Sequence, residues 1–260
     1  MIAEYLDAAR ESGLLHGEPG RQFVADAYTE PLTGRRQVLV EHADAAVVRD
    51  ERRLVDTLRR MHPDATGVVL RVEPDMELPA PWRKQITYVG LDRTDEVDAD
   101  LPITVAEPEH DRLVRDWLVT AFRTAGGEID HAVDPLVAAE AADDVLAQPG
   151  RVSFLVWHNG DPVGHATLLC DARDEVTGVD FVELLDSLVE PVIDVRRATS
   201  ALSAVAARHA DGLGLPLHGN VVHPADDALT GKGERILAAL SRHGWRPLHR
   251  FWFAPLGDVS

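Results

Sequence analysis

Hydrophobic positions along the chain recur with two spacings. Ile2, Leu6 and Ala9 fall on one face of a helix over residues 2–12, and Leu54, Leu58 and Met61 do the same in RRLVDTLRRMH. That is the i, i+3/i+4 spacing of an amphipathic helix. RQVLVEH (36–42), AAVVRD (45–50), GVVLRVEP (67–74) and KQITYVGL (84–91) are short and rich in β-branched residues, and predict strands. PAPW breaks the chain between the last two. From residue 103 the pattern predicts a short strand, ITVAEP, and a long helix, EHDRLVRDWLVTAFRTAGG, stopped by a glycine pair. A second helix, DPLVAAEAADDVLAQPG, carries Pro135 in its first turn. In VSFLVWHNGDPVGHATLL two apolar runs flank Asn159-Gly160, a strong hairpin signal. The strand FVELLDSLV follows, then a helix from Ser200, the strand PLHGNVVH, the helix GERILAALSRHG and the strand WRPLHRFWFAPL.

The stretch LDRTDEVDADLP (91–102) is charged, poor in large apolar residues and ends in proline, as a linker does. It divides the chain into an N-terminal α/β segment, residues 1–97, and a larger part, residues 98–260.

Composition narrows the function classes. The chain of 260 residues has 44 acidic against 26 basic side chains, a net charge of -18. Such a surface repels phosphate backbones, which argues against nucleic acid; it either favours a cationic partner such as an amine or a basic peptide or serves solubility alone. No apolar run reaches the roughly 18–20 residues of a membrane helix, so no membrane partner is expected. The acidic, amphipathic start MIAEYLDAARESG is not a signal peptide, and a cytoplasmic location is expected. The single cysteine, Cys170, excludes an intramolecular disulfide and sits in an apolar run, as a small buried hydrophobe would. The histidines show no ligand spacing such as HExxH, and no metal site is expected.

The order β–α–α–β–β–β–α–β–α–β after residue 102 resembles the GNAT superfamily of acyl-CoA-dependent N-acyltransferases. FLVWHNGDPVGHATLL is similar to that family's second hairpin, FVELLDSLVEP to its fourth strand, and LAALSRHGWRPLHRFWF to its last helix, turn and strand. The resemblance implies an α/β (α+β) fold: a central mixed sheet flanked by helices. Residues 1–97 then stand either as a degenerate second copy of the fold or as an unrelated extension that walls the acceptor site.

Laid on the family's pyrophosphate motif, Q/R-x-x-G-x-G/A, the stretch VEPVIDVRRATSAL puts Asp194 at the Q/R place, Arg197 at the first glycine and Thr199 at the Gly/Ala. The loop is glycine-free, so close backbone approach is lost. Two guanidinium groups, on Arg196 and Arg197, stand where phosphate contacts are strong. Thr199 is expected as the helix N-cap. The cofactor-contacting set implied by the resemblance is Leu188, Val189, Arg196, Arg197, Ala198, Thr199 and Ser200, with an amide near Leu188–Glu190, beside a strand bulge, on the thioester carbonyl. The donor substrate would be acetyl-CoA or another acyl-CoA.

Transfer to an amine needs a base, because an alkyl ammonium cannot attack. Glu183 holds the family's position and lies among apolar neighbours that raise a carboxyl pKa. Asp186 is the second candidate, three residues on and so on the opposite face of a regular strand. The family's general-acid tyrosine is replaced by Leu240 or a neighbour, and His223 and Ser241 are potential substitutes.

The function expected is an N-acyltransferase, foremost an N-acetyltransferase, acting by direct attack on the amine of a cationic small molecule or peptide, as a monomer or homodimer. The alternative is a GNAT-like binding or scaffolding protein that has lost catalysis. A weaker reading takes the acyl group from a carrier protein or aminoacyl-tRNA, with Arg196, Arg197, Arg208, Arg242, Arg246 and Arg250 as a basic patch.

Overall fold

A computed structural model describes residues 2–91, 101–129 and 132–257, without the side chain of Leu229. The boundary expected at residues 97/98 lies outside the described residues. In chain order the elements are α1 (Ile2–Glu11), β1 (Leu15–His16), β2 (Phe23–Thr29), β3 (Arg36–Ala43), α2 (Ala45–Val48), α3 (Glu51–Met61), β4 (Gly67–Val72) and β5 (Arg83–Leu91). Next come β6 (Ile103–Val105), α4 (Asp111–Glu128), α5 (Pro135–Leu146), β7 (Arg151–His158), β8 (Asp161–Asp174) and β9 (Val179–Val189). The chain ends in α6 (Val195–Gly212), β10 (Leu217–Val222), α7 (Asp227–Thr230), α8 (Lys232–Ser241) and β11 (Arg246–Pro255).

The eleven strands among the described residues join one mixed sheet in the order β1-β2-β3-β4-β11-β5-β10-β9-β8-β7-β6. The centre of this order is an exchange. β3 and β4 pair in parallel around α2 and α3, and β9 and β10 pair in parallel around α6. The strand that follows each parallel pair crosses to the other. β5, which follows β4, pairs antiparallel with β10, and β11, which follows β10, pairs antiparallel with β4. β5 and β11 also pair with each other. The early and late parts of the chain therefore share strands and form one continuous sheet.

Three apolar clusters hold the layers. Phe154, Val156, Leu168 and Val182 point to α6, where Ala198, Leu202 and Ala206 are fully buried against them. Leu155, between Phe154 and Val156, points the other way and packs with Val114, Trp117 and Leu118 of α4, as strand alternation requires. Leu54 and Leu58 of α3 pack on Val38, Val40, Val68 and Leu70, joined by Trp252 and Ala254 of the exchanged β11.

Local chemistry explains most boundaries. Asn159 and Gly160 both take positive φ (51° and 91°), the two-residue hairpin turn their identities predict. Asp134 caps α5 by accepting from the Leu136 amide, and Pro135 follows at the first helical position. Three expectations need correction. AAVVRD is not a strand: Val47 and Val48 of the short helix α2 are buried in the α3 cluster, so packing overrides their β-branched preference. β1 and β2 were not expected, because FVADAYT mixes small and acidic residues with few β-branched ones. Finally, α6 begins at Val195, five residues before Ser200, because Asp194 and not Thr199 is its N-cap.

Candidate active site

β9 and β10 pair only from Val182 to Leu184 and from Leu217 to Gly219. Beyond these residues the two strands part. At the same level β9 carries an extra residue: Leu184 opposes Leu168 and Asp186 opposes Thr167, which leaves Leu185 unpaired against β8. This bulge lies earlier than the Leu188–Glu190 position expected from the sequence. It also changes which way side chains point. The β8 partners of Glu183 and Asp186 are Leu169 and Thr167, two residues apart and so on one face. Glu183 and Asp186 therefore share a face of the sheet, contrary to the opposite faces a regular strand would give them.

The bulge sets the backbone too. The Glu190 amide donates to Val163 O at 2.8 Å, and Gly164 faces Val189 so closely that a Cβ on the glycine would come within 2.9 Å of Val189 Cα. Glu190 thus belongs to a bonded pair and Val189 to a close, unbonded one. By the same alternation the amides of Ser187 and Val189 point away from β8, toward the gap left by β10.

A cavity of about 710 Å³ runs through this gap. Its walls include Leu184 to Ser187 of β9, Asn220 of β10, Tyr88 of β5, Phe122 and Ala125 of α4, and Tyr28, Leu39 and Val69 of the N-terminal segment. A second cavity, about 580 Å³, lies between α6 and α8 and is lined by Arg196, Thr199, Ser200, Arg242 and His243. Thr199, Ser203, Ile236, Leu240 and Trp245 line both, so the two meet.

The expected cofactor residues divide accordingly. Arg196, Thr199 and Ser200 face the second cavity, whereas Arg197 and Ala198 do not line it, and Ala198 is fully buried in the core. Leu188 packs toward α4 and Val189 toward α6. The Asp194 carboxylate accepts from the Arg197 amide at 3.2 Å, and so places a negative charge at the helix end that would otherwise draw an anion. Arg250 does not join a surface basic patch; it is buried and paired with Glu77 and Glu234.

Asp186 lies on the wall of the larger cavity; Glu183 does not. Burial raises the Glu183 pKa. Burial and the nearby Glu183 charge together push the Tyr88 phenol up to about 12. Behind Asp186 runs a chain of polar groups that sequence reasoning missed. His165 Nε2 lies 3.0 Å from Asp186 Oδ2, an ion-pair distance but off the line of a hydrogen bond. His165 Nδ1 meets Thr167 Oγ1 at 2.9 Å, and Thr167 meets Ser153 Oγ at 2.9 Å. The His165 ring is fully buried and stacks on Trp117 at 5.2 Å, while Trp117 Nε1 donates to Glu190 at 3.2 Å. His165, Thr167 and Ser153 are polar positions on one face of two paired strands, and that alternation was the signal available. Asp186 Oδ2, His165 Nε2 and Ser187 Oγ are buried without an aligned partner, which marks a place for a ligand or water.

The other sequence candidates have structural partners. His223 is fully buried, with Nδ1 at 2.6 Å from Asp227 and Nε2 at 2.8 Å from Thr87. The Ser241 hydroxyl donates to Trp245 O at 3.5 Å. Burial and neighbouring Asp171 raise the Cys170 thiol pKa, against a nucleophilic role. In the N-terminal half, β3 and β4 last pair at Val40 and Leu70. Just beyond, Tyr5 donates to Glu41 at 3.0 Å and Arg71 holds Asp174 with bonds of 2.8 and 2.7 Å. Beyond this second parting the two strands are held by other elements, β3 by α1 and β4 by the end of β8.

A GCN5-related N-acetyltransferase from Sphaerobacter thermophilus superposes on this arrangement with a TM-score of 0.53, at 15% identity, over 90% of this chain and 76% of its own. The fold is GNAT-like. A functionally unknown conserved protein from Staphylococcus epidermidis is similar at a TM-score of 0.52 and 10% identity, over 92% of each chain. No protein-family model and no curated protein matches the chain. In this GNAT-like frame the parted strands β9 and β10 lie beside the central strand β5, and the N-terminal half supplies one wall of the cavity between them. No helix among the described residues is long and apolar enough to cross a membrane.

Proposed function

We propose that the chain is an N-acyltransferase that moves an acyl group from an acyl-CoA, acetyl-CoA foremost, to an amine by direct attack. The observation that carries this reading is the pair of joined cavities at the parting of β9 and β10, with a carboxylate on one wall and unpaired strand amides beside it. The cavity between α6 and α8 suits the thioester arm of the donor, and Arg196, Arg242 and His243 are the groups that would hold its phosphates. Asp194 leaves the helix terminus less able to help, so side chains carry that binding.

In the larger cavity Asp186 accepts the proton of the entering ammonium, which frees the nitrogen lone pair. The nitrogen bonds to the acyl carbon and the carbon–sulfur bond breaks; the second proton that the nitrogen sheds on becoming an amide passes to the departing thiolate, which leaves as the free thiol. The amides of Ser187 and Val189 are donors for the oxygen on which charge develops. His165, held by Thr167 and Trp117, orients Asp186. Glu183 is a second candidate base, working through a water, favoured by its raised pKa and its closeness to Tyr88.

Thermal unfolding with acetyl-CoA and longer acyl-CoAs tests donor binding; near 100 times Kd a ligand adds about 2.7 kcal/mol. Thiol release with an amine acceptor tests transfer. Asp186→Asn should bind donor normally and lose roughly 100-fold or more in kcat, while Glu183→Gln keeps most of it; the reverse ranking assigns the base to Glu183. Absence of stabilisation by any acyl-CoA would overturn the enzyme reading in favour of a protein that has lost catalysis, which the Asp194 carboxylate at the α6 terminus favours.

A further inference from the structure

We infer that the acceptor is a monoamine, one ammonium on a largely apolar body, and not a polyamine, aminoglycoside or basic peptide. This inference rests on the acyl-transfer reading and adds the substrate class. The net charge of -18 suggests a polycation, but the charge is not where the acceptor would sit. Three carboxylates line the larger cavity: Glu30, Glu128 and Asp186. Glu30 is engaged by its own turn, accepting from the Leu32 amide at 3.2 Å, the Thr33 amide at 2.7 Å and the Thr33 hydroxyl at 2.5 Å. Glu128 is paired with Lys232. Asp186 has neither a lysine or arginine nor a turn amide on it: its buried Oδ2 has no aligned donor, and its side chain is 21% exposed.

Much of the remaining lining is apolar, and its other polar groups, among them Gln37, Gln85 and Asn220, are uncharged. Leu39, Val69 and Phe251 form one side and Phe122, Ala125 and Ile129 the other. A second ammonium carried into this space would lose its water and meet only neutral amide and hydroxyl groups, with no second carboxylate that its own turn or a lysine does not already engage, an unfavourable exchange. An apolar body gains by the same burial. No lysine or arginine lines the cavity among the described residues, so a carboxylate on the acceptor, as in a free amino acid, also has no cation to meet. At about 710 Å³ the cavity falls within the usual range for small-molecule sites, about 300–1,000 Å³, with room for such a body. The N-terminal half contributes Leu39 and Val69, so it sets specificity as a wall and not as a second catalytic copy.

The test compares kcat/KM for 2-phenylethylamine, spermidine and a lysine-containing peptide on the full chain with acetyl-CoA, alongside thermal shift by acetyl-CoA alone. Phenylethylamine should be preferred at least about tenfold, the factor that 1.4 kcal/mol corresponds to. Leu39→Asp, at a partly exposed wall position, should move the ratio toward spermidine while the acetyl-CoA shift stays as in the parent. Donor stabilisation together with equal or better use of spermidine or the peptide would overturn the inference and leave the acyl-transfer reading standing. No donor stabilisation and no acylation of any amine would remove both.

Discussion

Glu183 and Asp186 show how much a single residue between two others can decide. Read as a regular strand, the sequence sends them to opposite faces; the extra residue Leu185 brings them to the same one. A bulge of this kind leaves little trace in composition, because Leu184-Leu185 continues the apolar run. What was legible was the environment: apolar neighbours implied a raised Glu183 pKa, and burial does raise it from 4.5. The sign of the stability effect follows. A carboxyl whose folded pKa exceeds its unfolded value contributes fully below about pH 4.5, and that contribution is lost as pH rises through the folded pKa. Glu183→Gln should therefore raise Tm at pH 7 and leave it nearly unchanged at pH 4, as read by thermal melts across that range. An equal gain at both pH values would mean that charge burial is not the cause. The alternation of His165 and Thr167 marks a polar face on β8, but only the pairing of β8 with β9 puts that face beneath Asp186.

At the scale of the element, α6 carries the sharpest difference between expectation and structure. Alignment on a glycine motif put the helix start near Thr199, whereas capping chemistry puts it at Asp194. Val195 to Ala198 contain no helix breaker, and Pro191 marks the turn before them. The capping residue is also the one that opposes a phosphate, which separates two roles that mutation can distinguish. Asp194→Ser keeps a good capping hydroxyl and removes the charge, so stability should change by only a few tenths of a kcal/mol, well under the roughly 0.5–2 kcal/mol that alanine costs at such positions. Its acetyl-CoA Kd by calorimetric titration should fall several-fold. An unchanged Kd would place the donor phosphates away from the α6 terminus.

Over the whole molecule, the exchange of β5 and β11 links the two parallel pairs. Trp82 and Trp252 belong to the cluster around α3, Trp117 to the α4 cluster and Trp245 to the α6 cluster. Because β11 lies between β4 and β5, neither pair has its full set of neighbours without the other's strand. We expect one cooperative transition in denaturant, with tryptophan fluorescence and far-UV circular dichroism coincident. Two separated transitions would show that residues 1–97 and 98–260 unfold as independent units. The sequence by itself determined the helix faces, the Asn159-Gly160 turn, most strand positions and the late strand–helix order that resembles GNAT proteins. Those features are local: they depend on side-chain periodicity and on the conformational preferences of a few neighbouring residues. Only the tertiary structure decided the strand exchange, the Leu185 bulge, the His165–Asp186 contact and the apolar wall supplied by Leu39 and Val69. Each of these depends on pairing between residues far apart in the chain, where hydrogen bonding and burial choose among partners that local pattern leaves equivalent.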